Sequence, residues 1–245
     1  MTAQSAPRLR AIYDRLLAVY GPQRWWPAKT PLEVVVGAYL TQNTAWTSVE
    51  RSLRNLETHG LLTVEGLREI SEDELRIHIR PSGYMNRKAA AIKAFVAFLD
   101  ESYEGSLEKL SQESLETARK RLLVLPGVGP ETADAILLYA LCKPAMVVDE
   151  YLRRVVTRHG LLPPGSKYTE IQNLGESAFE NDPVETRSQH YNEFHAVIVQ
   201  VGKSHCGRVP RCGDCPLSFD LLQPLDGGCP AKTARRRKVK TRMAE

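Results

Sequence analysis

Apolar residues recur along most of the chain at intervals of three and four positions, the spacing that places side chains on one face of an α-helix. In segment 9–21, for example, Leu9, Ile12 and Leu16 share one face, and Gly21 follows as a typical end signal. Alternating apolar and polar positions, which indicate β-strands, are nearly absent apart from the stretch 145–148. The pattern therefore predicts an all-α protein of about ten helices joined by short loops.

The predicted helices follow one another with few breaks. Ser71 and Glu74 form the sequence of a capping box at the start of one of them, and Pro81 follows its end. The segments with a helical pattern are 9–21, 30–44, 48–60, 71–79, 86–101, 114–125, 130–141, 149–160, 168–180 and 188–206.

Length, composition and charge favour a globular protein with a charged end. The chain has 245 residues, 42% of them hydrophobic, and no apolar run approaches the roughly 20 residues that span a bilayer. Residues 1–20 lack the apolar core of a secretory signal, so we predict a cytoplasmic protein with reduced thiols and no membrane partner. The net charge is +4, and basic residues crowd the segment 231–245. We predict that this segment is a disordered tail, which either contacts nucleic acid or only aids solubility.

The stretch Leu125–Gly129, "LPGVG", predicts a tight turn between two helices. Gly127 and Gly129 can adopt backbone angles that side chains forbid, and they let a phosphodiester approach the main chain closely. The next helix begins with Pro130, and the unpaired N–H groups at its start attract an anion. The glycines alone, however, favour a plain helix–turn–helix corner.

Further motifs accompany this turn. "VVDEYLRRV" follows it, "LTQNT" and "GYMNRKA" precede it, and a group of cysteines comes last. In this order the motifs resemble the helix-hairpin-helix (HhH-GPD) DNA glycosylase superfamily, endonuclease III-like, over residues 30–230. The resemblance implies a two-lobed all-α fold with its active site in the cleft, acting as a nucleoid-associated monomer on double-stranded DNA that contains a damaged base.

The resemblance also divides the chain and assigns residues to DNA. Residues 30–134 would form a six-helix barrel that ends in the hairpin, and residues 1–29 with 135–230 would form an iron–sulfur cluster domain. One residue would fill the gap left by a flipped nucleotide and another would act as an intercalating wedge. These are Gln42 and Tyr84 respectively, and the hairpin residues Gly127, Val128 and Gly129 would bind phosphate.

Asp149 begins the predicted helix "DEYLRRVV". An aspartate at this position is typical of a helix N-cap. The resemblance implies that Asp149 is also the catalytic carboxylate, which stabilises oxocarbenium-like charge on the sugar and orients or deprotonates a water molecule. One side chain can serve both roles.

Glu131 stands where bifunctional endonuclease III enzymes have the lysine that forms a Schiff base with the sugar. A carboxylate cannot form an imine, so the resemblance implies a monofunctional glycosylase that leaves an abasic site. Lys203 is the residue from which residual lyase activity would come. Asp134 lies three residues after Glu131 on the same helix face, and these two acids either tune the base pocket or are solvated.

All three tryptophans fall within residues 25–46. The paired tryptophans, "LTQNT", an aromatic residue two positions later and the acid at position 131 resemble the 3-methyladenine DNA glycosylase III branch of the superfamily. Alkylated purines such as 3-methyladenine are cationic, and aromatic stacking contributes ~1–3 kcal/mol per base, with about 0.5–2 kcal/mol from cation–π attraction. We expect one of the adjacent tryptophans to pack away from the pocket. The expected pocket residues are Trp25, Trp26, Trp46, Glu131, Asp134 and Lys203.

Four cysteines cluster near the C-terminus, which in a cytoplasmic protein favours metal ligation over disulfides. They are Cys206, Cys212, Cys215 and Cys229. The resemblance implies a [4Fe–4S] cluster, although the first gap is shorter and the last is longer than the family's usual spacing, which leaves zinc open. Members of the 3-methyladenine branch lack this cluster. The fifth cysteine, Cys142, is predicted to be a small buried hydrophobe.

Two alternatives to an alkylpurine glycosylase stay open at this point. The same fold would also suit a glycosylase for oxidised pyrimidines or mismatches, with or without lyase activity. A non-catalytic protein that binds DNA structure through the hairpin and the basic tail would share the same motifs.

Overall fold

The structure is a computed structural model that describes residues 4–23, 25 and 28–221. Trp26, Cys229 and the tail 231–245 therefore lie outside the described residues. Within the described ranges the chain forms helices and loops and no β-strand, which confirms the all-α prediction, and residues 145–148 are extended without pairing. The α-helices are α1 Ser5–Tyr20, α2 Pro31–Thr41, α3 Trp46–Thr58, α4 Val64–Glu69, α5 Glu72–His78, α6 Met85–Tyr103, α7 Leu107–Gln112, α8 Leu115–Leu123, α9 Pro130–Ala135, α10 Glu150–Arg158, α11 Tyr168–Ala178 and α12 Val184–Ser204.

Local sequence signals set several helix boundaries. The Ser71 side chain accepts from the Glu74 N–H and the Glu74 carboxylate accepts from the Ser71 N–H, so the predicted capping box at α5 is confirmed. Helix α9 begins at Pro130, as predicted, and continues directly into a π-helical turn, Ile136–Ala140. None of the described helices has both the length and the apolar character that crossing a membrane requires.

Helices α4 and α7 were not predicted from periodicity. Each has six residues, which is too short for an apolar repeat to appear. Thr63 caps α4 and Ser106 caps α7 through side-chain oxygens that accept N–H groups of the first turn. These caps were the available sequence signal for both helices.

The buried apolar side chains form two clusters. One is built from residues between Leu32 and Ala145, which include Tyr39 and Phe95. The other combines α1 with residues from Ala135 to Leu217. The division of the chain into two domains, with boundaries at residues 30, 134 and 230, stays a prediction.

The segment from α9 through the π turn belongs to both clusters. Ala133 and Ile136 pack in the first, Leu138 packs in the second, and Tyr139 contacts both. The segment from α9 through the π turn therefore lies between the two apolar clusters.

Candidate active site

Asp149 is the N-cap of α10, as the sequence indicated. Its Oδ1 atom accepts a hydrogen bond of 2.7 Å from the N–H of Leu152. The residue is only 8% exposed, and the preceding Val148 donates its N–H to the Tyr168 hydroxyl oxygen at 3.2 Å. The capping bond fixes one carboxylate oxygen and directs the other away from the helix start.

That second oxygen faces His195 of α12. The distance from Asp149 Oδ2 to His195 Nε2 is 3.4 Å, and the other ring nitrogen, Nδ1, makes a short hydrogen bond with the Tyr139 hydroxyl. Burial raises the pKa of the Tyr139 phenol well above its usual value, and the nearby carboxylates of Asp149 and Glu193 raise it further. Sequence reasoning missed His195 and Tyr139, because both lie on apolar helical segments that read as core.

Glu131 is close enough to this group to interact with it. The surrounding protein desolvates its carboxyl and raises its pKa, and the negative charge of Asp149 adds to the rise while His195 opposes it. The side chain still contacts solvent, so the desolvation is partial. The charge of Asp149 therefore acts on Glu131, the residue that the family resemblance places in the site.

Asp134, by contrast, lies in the protein interior. It is fully buried, and Arg119 donates to both of its carboxylate oxygens, at 2.6 and 3.0 Å. Tyr168 and Gln172 also donate to it, at 2.8 and 2.9 Å. This placement corrects the expectation that Asp134 lines the base pocket, and it excludes the solvated alternative. Asp134 instead anchors Tyr168, whose hydroxyl oxygen also holds the backbone next to Asp149.

The hairpin turn uses its glycines in two different ways. Gly127 has a φ of +76°, and an added Cβ would come within 3.2 Å of the Ala91 Cβ. Gly129 has an ordinary extended backbone, and no atom lies within 4 Å of the place where its Cβ would be. Only Gly127 needs the left-handed conformation, and Gly129 leaves open space at the start of α9. The Val128 side chain is buried in the core, so its backbone alone can face a ligand.

Gln42 lies in the turn after α2 and contacts the hairpin. Its Nε2 donates to the carbonyl oxygen of Gly127 at 2.8 Å and to the Thr132 hydroxyl at 3.0 Å. Tyr84 is 63% exposed and has a positive φ of +47° at the start of α6. Gln42 and Tyr84, the two side chains predicted to contact DNA, therefore both lie on tight turns, and Gln42 contacts the hairpin directly.

A buried lysine holds these two turns together. Lys88 is 4% exposed, and its ammonium donates to the carbonyl oxygens of Leu40 and Ser82 and to the Thr44 hydroxyl, at 2.7–2.8 Å. Desolvation lowers the pKa of Lys88 to about 8. Its ammonium also lies 5.8 Å from the centre of the Tyr84 ring. No sequence signal indicates this role apart from the presence of Lys88 in "GYMNRKA".

Trp25 and Lys203 meet across the second lobe. The Lys203 Nζ is 5.7 Å from the centre of the Trp25 ring. Trp25 also lines an open pocket of about 300 Å³ together with Glu193, Asn192 and Cys142. Cys142 is exposed there, so the prediction that it is buried was wrong. Trp46 instead packs against the barrel core at the start of α3 and donates its Nε1 hydrogen to Glu50 at 2.8 Å; its place in the base pocket stays a prediction.

The three described cysteines of the C-terminal group line one small pocket. Cys206, Cys212 and Cys215 share it with Arg158 and His205. Arg158 donates to the Cys206 sulfur at 3.1 Å, and the N–H of Leu217 donates to the Cys215 sulfur at 3.5 Å. No three ligand side chains in the part of the chain described here converge closely enough to hold a metal ion.

Comparison with protein families matches residues 36–181, more than half of the chain, to the model of HhH-GPD superfamily base excision DNA repair proteins. A protein of Methanocaldococcus jannaschii, named as a candidate DNA repair glycosylase, is 42% identical over 208 residues, which cover 84% of this chain and 92% of the relative. The matched region contains the hairpin, Glu131 and Asp149.

Solved structures show the same fold. The crystal structure of H. pylori 3-methyladenine DNA glycosylase bound to 1,N6-ethenoadenine aligns with a TM-score of 0.71 at 30% identity, covering 82% of this chain and 97% of that one. A non-covalent endonuclease III–DNA complex aligns with a TM-score of 0.72, covering 89% of this chain and 95% of that one. Its 23% identity makes it evidence for the fold alone.

Proposed function

We propose, from the premise that the chain belongs to the HhH-GPD superfamily of base excision DNA repair proteins, that this DNA glycosylase is monofunctional and removes alkylated purines of the 3-methyladenine type from double-stranded DNA. The observation that carries the proposal is the capped and nearly buried carboxylate of Asp149, together with a carboxylate instead of an amine at position 131. A carboxylate is present for charge stabilisation, and the neighbouring position that would hold a nucleophilic amine holds a second carboxylate.

Asp149 supports cleavage of the N-glycosidic bond through its charge. As that bond breaks, positive charge develops on the sugar, and a fixed carboxylate in a site with little water stabilises it strongly. Asp149 is held by the Leu152 N–H and is only 8% exposed, so it satisfies both conditions. Water then adds to the sugar carbon, and an abasic site remains.

Trp25 supports a preference for cationic purines. The Lys203 ammonium lies 5.7 Å from the ring centre, so the ring accepts a cation, and a flat alkylated purine of the same charge would take the place of that ammonium on the ring. Such a base is also a good leaving group and needs recognition more than acid catalysis. The structural relative named for 3-methyladenine, which binds 1,N6-ethenoadenine, supports the same substrate class at 30% identity.

The hairpin and the two turns beside it would bind the duplex. The open space at Gly129 and the unpaired N–H groups that start α9 suit a phosphate. Exposed Tyr84 suits insertion into a base step, and Gln42 suits contact with the orphaned base. The basic residues of the tail 231–245, outside the described range, would add non-specific attraction.

Cys206, Cys212, Cys215 and Cys229 would hold a [4Fe–4S] cluster, with zinc as the alternative. Four thiolates are the donor set that such a cluster takes, and N–H donors already point at two of the sulfurs, although the three described thiols do not converge on one point. When bound, the cluster would tie the loop after α12 to the second lobe. Visible absorbance near 400 nm with stoichiometric iron and sulfide would support the cluster. Stoichiometric zinc without that absorbance would instead identify a zinc site.

Base release from a panel of defined duplexes tests the proposed function. The panel contains 3-methyladenine, 1,N6-ethenoadenine, an oxidised pyrimidine and a mismatch, each assayed with excess purified protein. Preferential release of the alkylated purines is expected. Preferential release of the oxidised pyrimidine or the mismatched base would replace the proposed substrate class.

A further inference from the structure

The catalytic carboxylate has a second, unassigned neighbour. Asp149 Oδ1 is occupied by the Leu152 N–H, whereas Oδ2 faces the ring of His195 at 3.4 Å. His195 is 9% exposed, and its Nε2 has no hydrogen-bond partner among the residues that the structure describes. A buried ring nitrogen aimed at a catalytic carboxylate is an unusual arrangement, because buried polar atoms are normally paired.

The chemistry of the neighbours fixes which ring nitrogen carries a hydrogen. A lone pair on Nε2 would repel the Asp149 carboxylate, so the stable form has its hydrogen on Nε2. The Tyr139 hydroxyl bonds the opposite nitrogen, Nδ1, and stays protonated because its pKa is strongly raised. A phenol that donates to Nδ1 leaves the hydrogen on Nε2, and a doubly protonated ring carries it there as well.

The fold places this ring with few degrees of freedom. Tyr139 lies in the π turn after α9, an irregularity of a kind that often marks functional positions. The charged or titratable groups that face the ring are Asp149 from α10, Glu131 from α9 and Tyr139, with Glu193 acting on Tyr139. The ring therefore lies among groups from α9, α10 and the π turn.

We infer that His195 is a positioning residue for Asp149. Its Nε2–H holds the Oδ2 atom in the orientation that faces the sugar, and Tyr139 holds the ring in that orientation. The contact at 3.4 Å is long for a hydrogen bond and would shorten when DNA closes the cleft, as hydrogen bonds at active sites commonly do. This inference rests on the proposed function.

Two substitutions that replace different ring nitrogens test the inference. In His195→Gln the amide nitrogen replaces Nε2 and can still donate to Asp149. In His195→Asn it replaces Nδ1 and cannot. His190→Asn is the matched control, because His190 lies on the same helix and pairs with Asp182 instead.

The measurements are single-turnover base release, affinity for the lesion duplex and thermal unfolding. We expect His195→Gln to release base within about 3-fold of wild type and His195→Asn to be roughly 10-fold slower or more, with equal affinities. Equal rates for the two variants, fast or slow, would overturn the inference. If His195→Asn fails to fold, Tyr139→Phe provides the test. Tyr139→Phe should slow base release when it is introduced into the wild-type protein, and it should leave the rate unchanged when it is added to His195→Gln. Equal slowing in both backgrounds would overturn the inference.

Failure of the inference differs from failure of the proposed function. If wild type and His190→Asn release no base from any duplex, the proposed function fails. If both release base and the Gln and Asn variants do not diverge, only the role of His195 fails.

Discussion

The side-chain nitrogen of Lys203, on α12, lies 5.7 Å from the centre of the ring of Trp25, which precedes α2. We propose that this cation–π contact, rather than attack on a sugar, is the role of Lys203. It also sets the first prediction, which concerns covalent chemistry.

Borohydride reduction should trap no covalent adduct between wild-type protein and lesion-containing DNA. Glu131→Lys should gain a trapped adduct, because the family resemblance places the Schiff-base lysine of bifunctional relatives at this position and an amine there can form an imine. Gel electrophoresis of reduced reactions measures both outcomes. An adduct with wild type that disappears in Lys203→Met would contradict monofunctional chemistry and identify the amine.

Glu131→Gln should raise thermal stability near pH 7 and have little effect near pH 4. The pKa of Glu131 is raised in the folded protein, so its contribution to stability is complete below the ordinary carboxyl pKa and is lost as the pH rises through the raised one. A neutral amide avoids that loss. Melting temperatures across this pH range measure the difference.

Glu116→Gln supplies a control of opposite sign. Its partner Lys120 lowers the pKa of Glu116, so that carboxyl contributes stability above its ordinary pKa and loses it as the pH falls. The substitution should therefore slightly lower the melting temperature near pH 7. A gain from Glu131→Gln that does not depend on pH would show that charge is not its cause.

Arg119→Met should lower the free energy of unfolding by roughly 3 kcal/mol, since it leaves the buried Asp134 carboxylate without its cation. Lys120→Met, on the same helix, breaks an exposed ion pair and should change it by less than about 1 kcal/mol. Urea unfolding of both variants gives the comparison. Equal effects would mean that the Arg119 cation does not stabilise the buried Asp134 carboxylate.

Lys88→Met should weaken binding to a lesion duplex, because the turns that carry Gln42 and Tyr84 lose their shared anchor. Lys93 is a matched control on the same helix, where its ammonium donates to the carbonyl oxygens of Leu67, Arg68 and Ile70. Lys93→Met should lower stability and leave affinity unchanged. Equal losses of affinity in Lys88→Met and Lys93→Met would mean that Lys88 contributes only to the overall stability of the protein.

Local sequence signals predicted much of this molecule. The capping box at Ser71, the start of α9 at Pro130 and the N-cap at Asp149 all follow from hydrogen bonds within a few residues, so the sequence alone reveals them. Position 131 was informative for a different reason, since the family resemblance, and not a local hydrogen bond, identifies it as the position of the Schiff-base lysine.

Contacts between distant segments could not be predicted in this way. His195 meets Tyr139 and Asp149 only after the lobes pack, and its position on the apolar face of α12 is typical of a core residue. Asp134 shows the opposite error. Helical spacing put it beside Glu131, but Arg119 on α8 offers a bidentate partner that makes burial favourable.

The account depends most directly on the charge of Asp149, and Asp149→Asn isolates that charge. Asparagine caps helices as well as aspartate does, so the bond to the Leu152 N–H and the fold should persist. Single-turnover release of 3-methyladenine should fall by roughly 100-fold or more, with unchanged affinity for the duplex. Release at the wild-type rate by a folded Asp149→Asn protein would contradict the account.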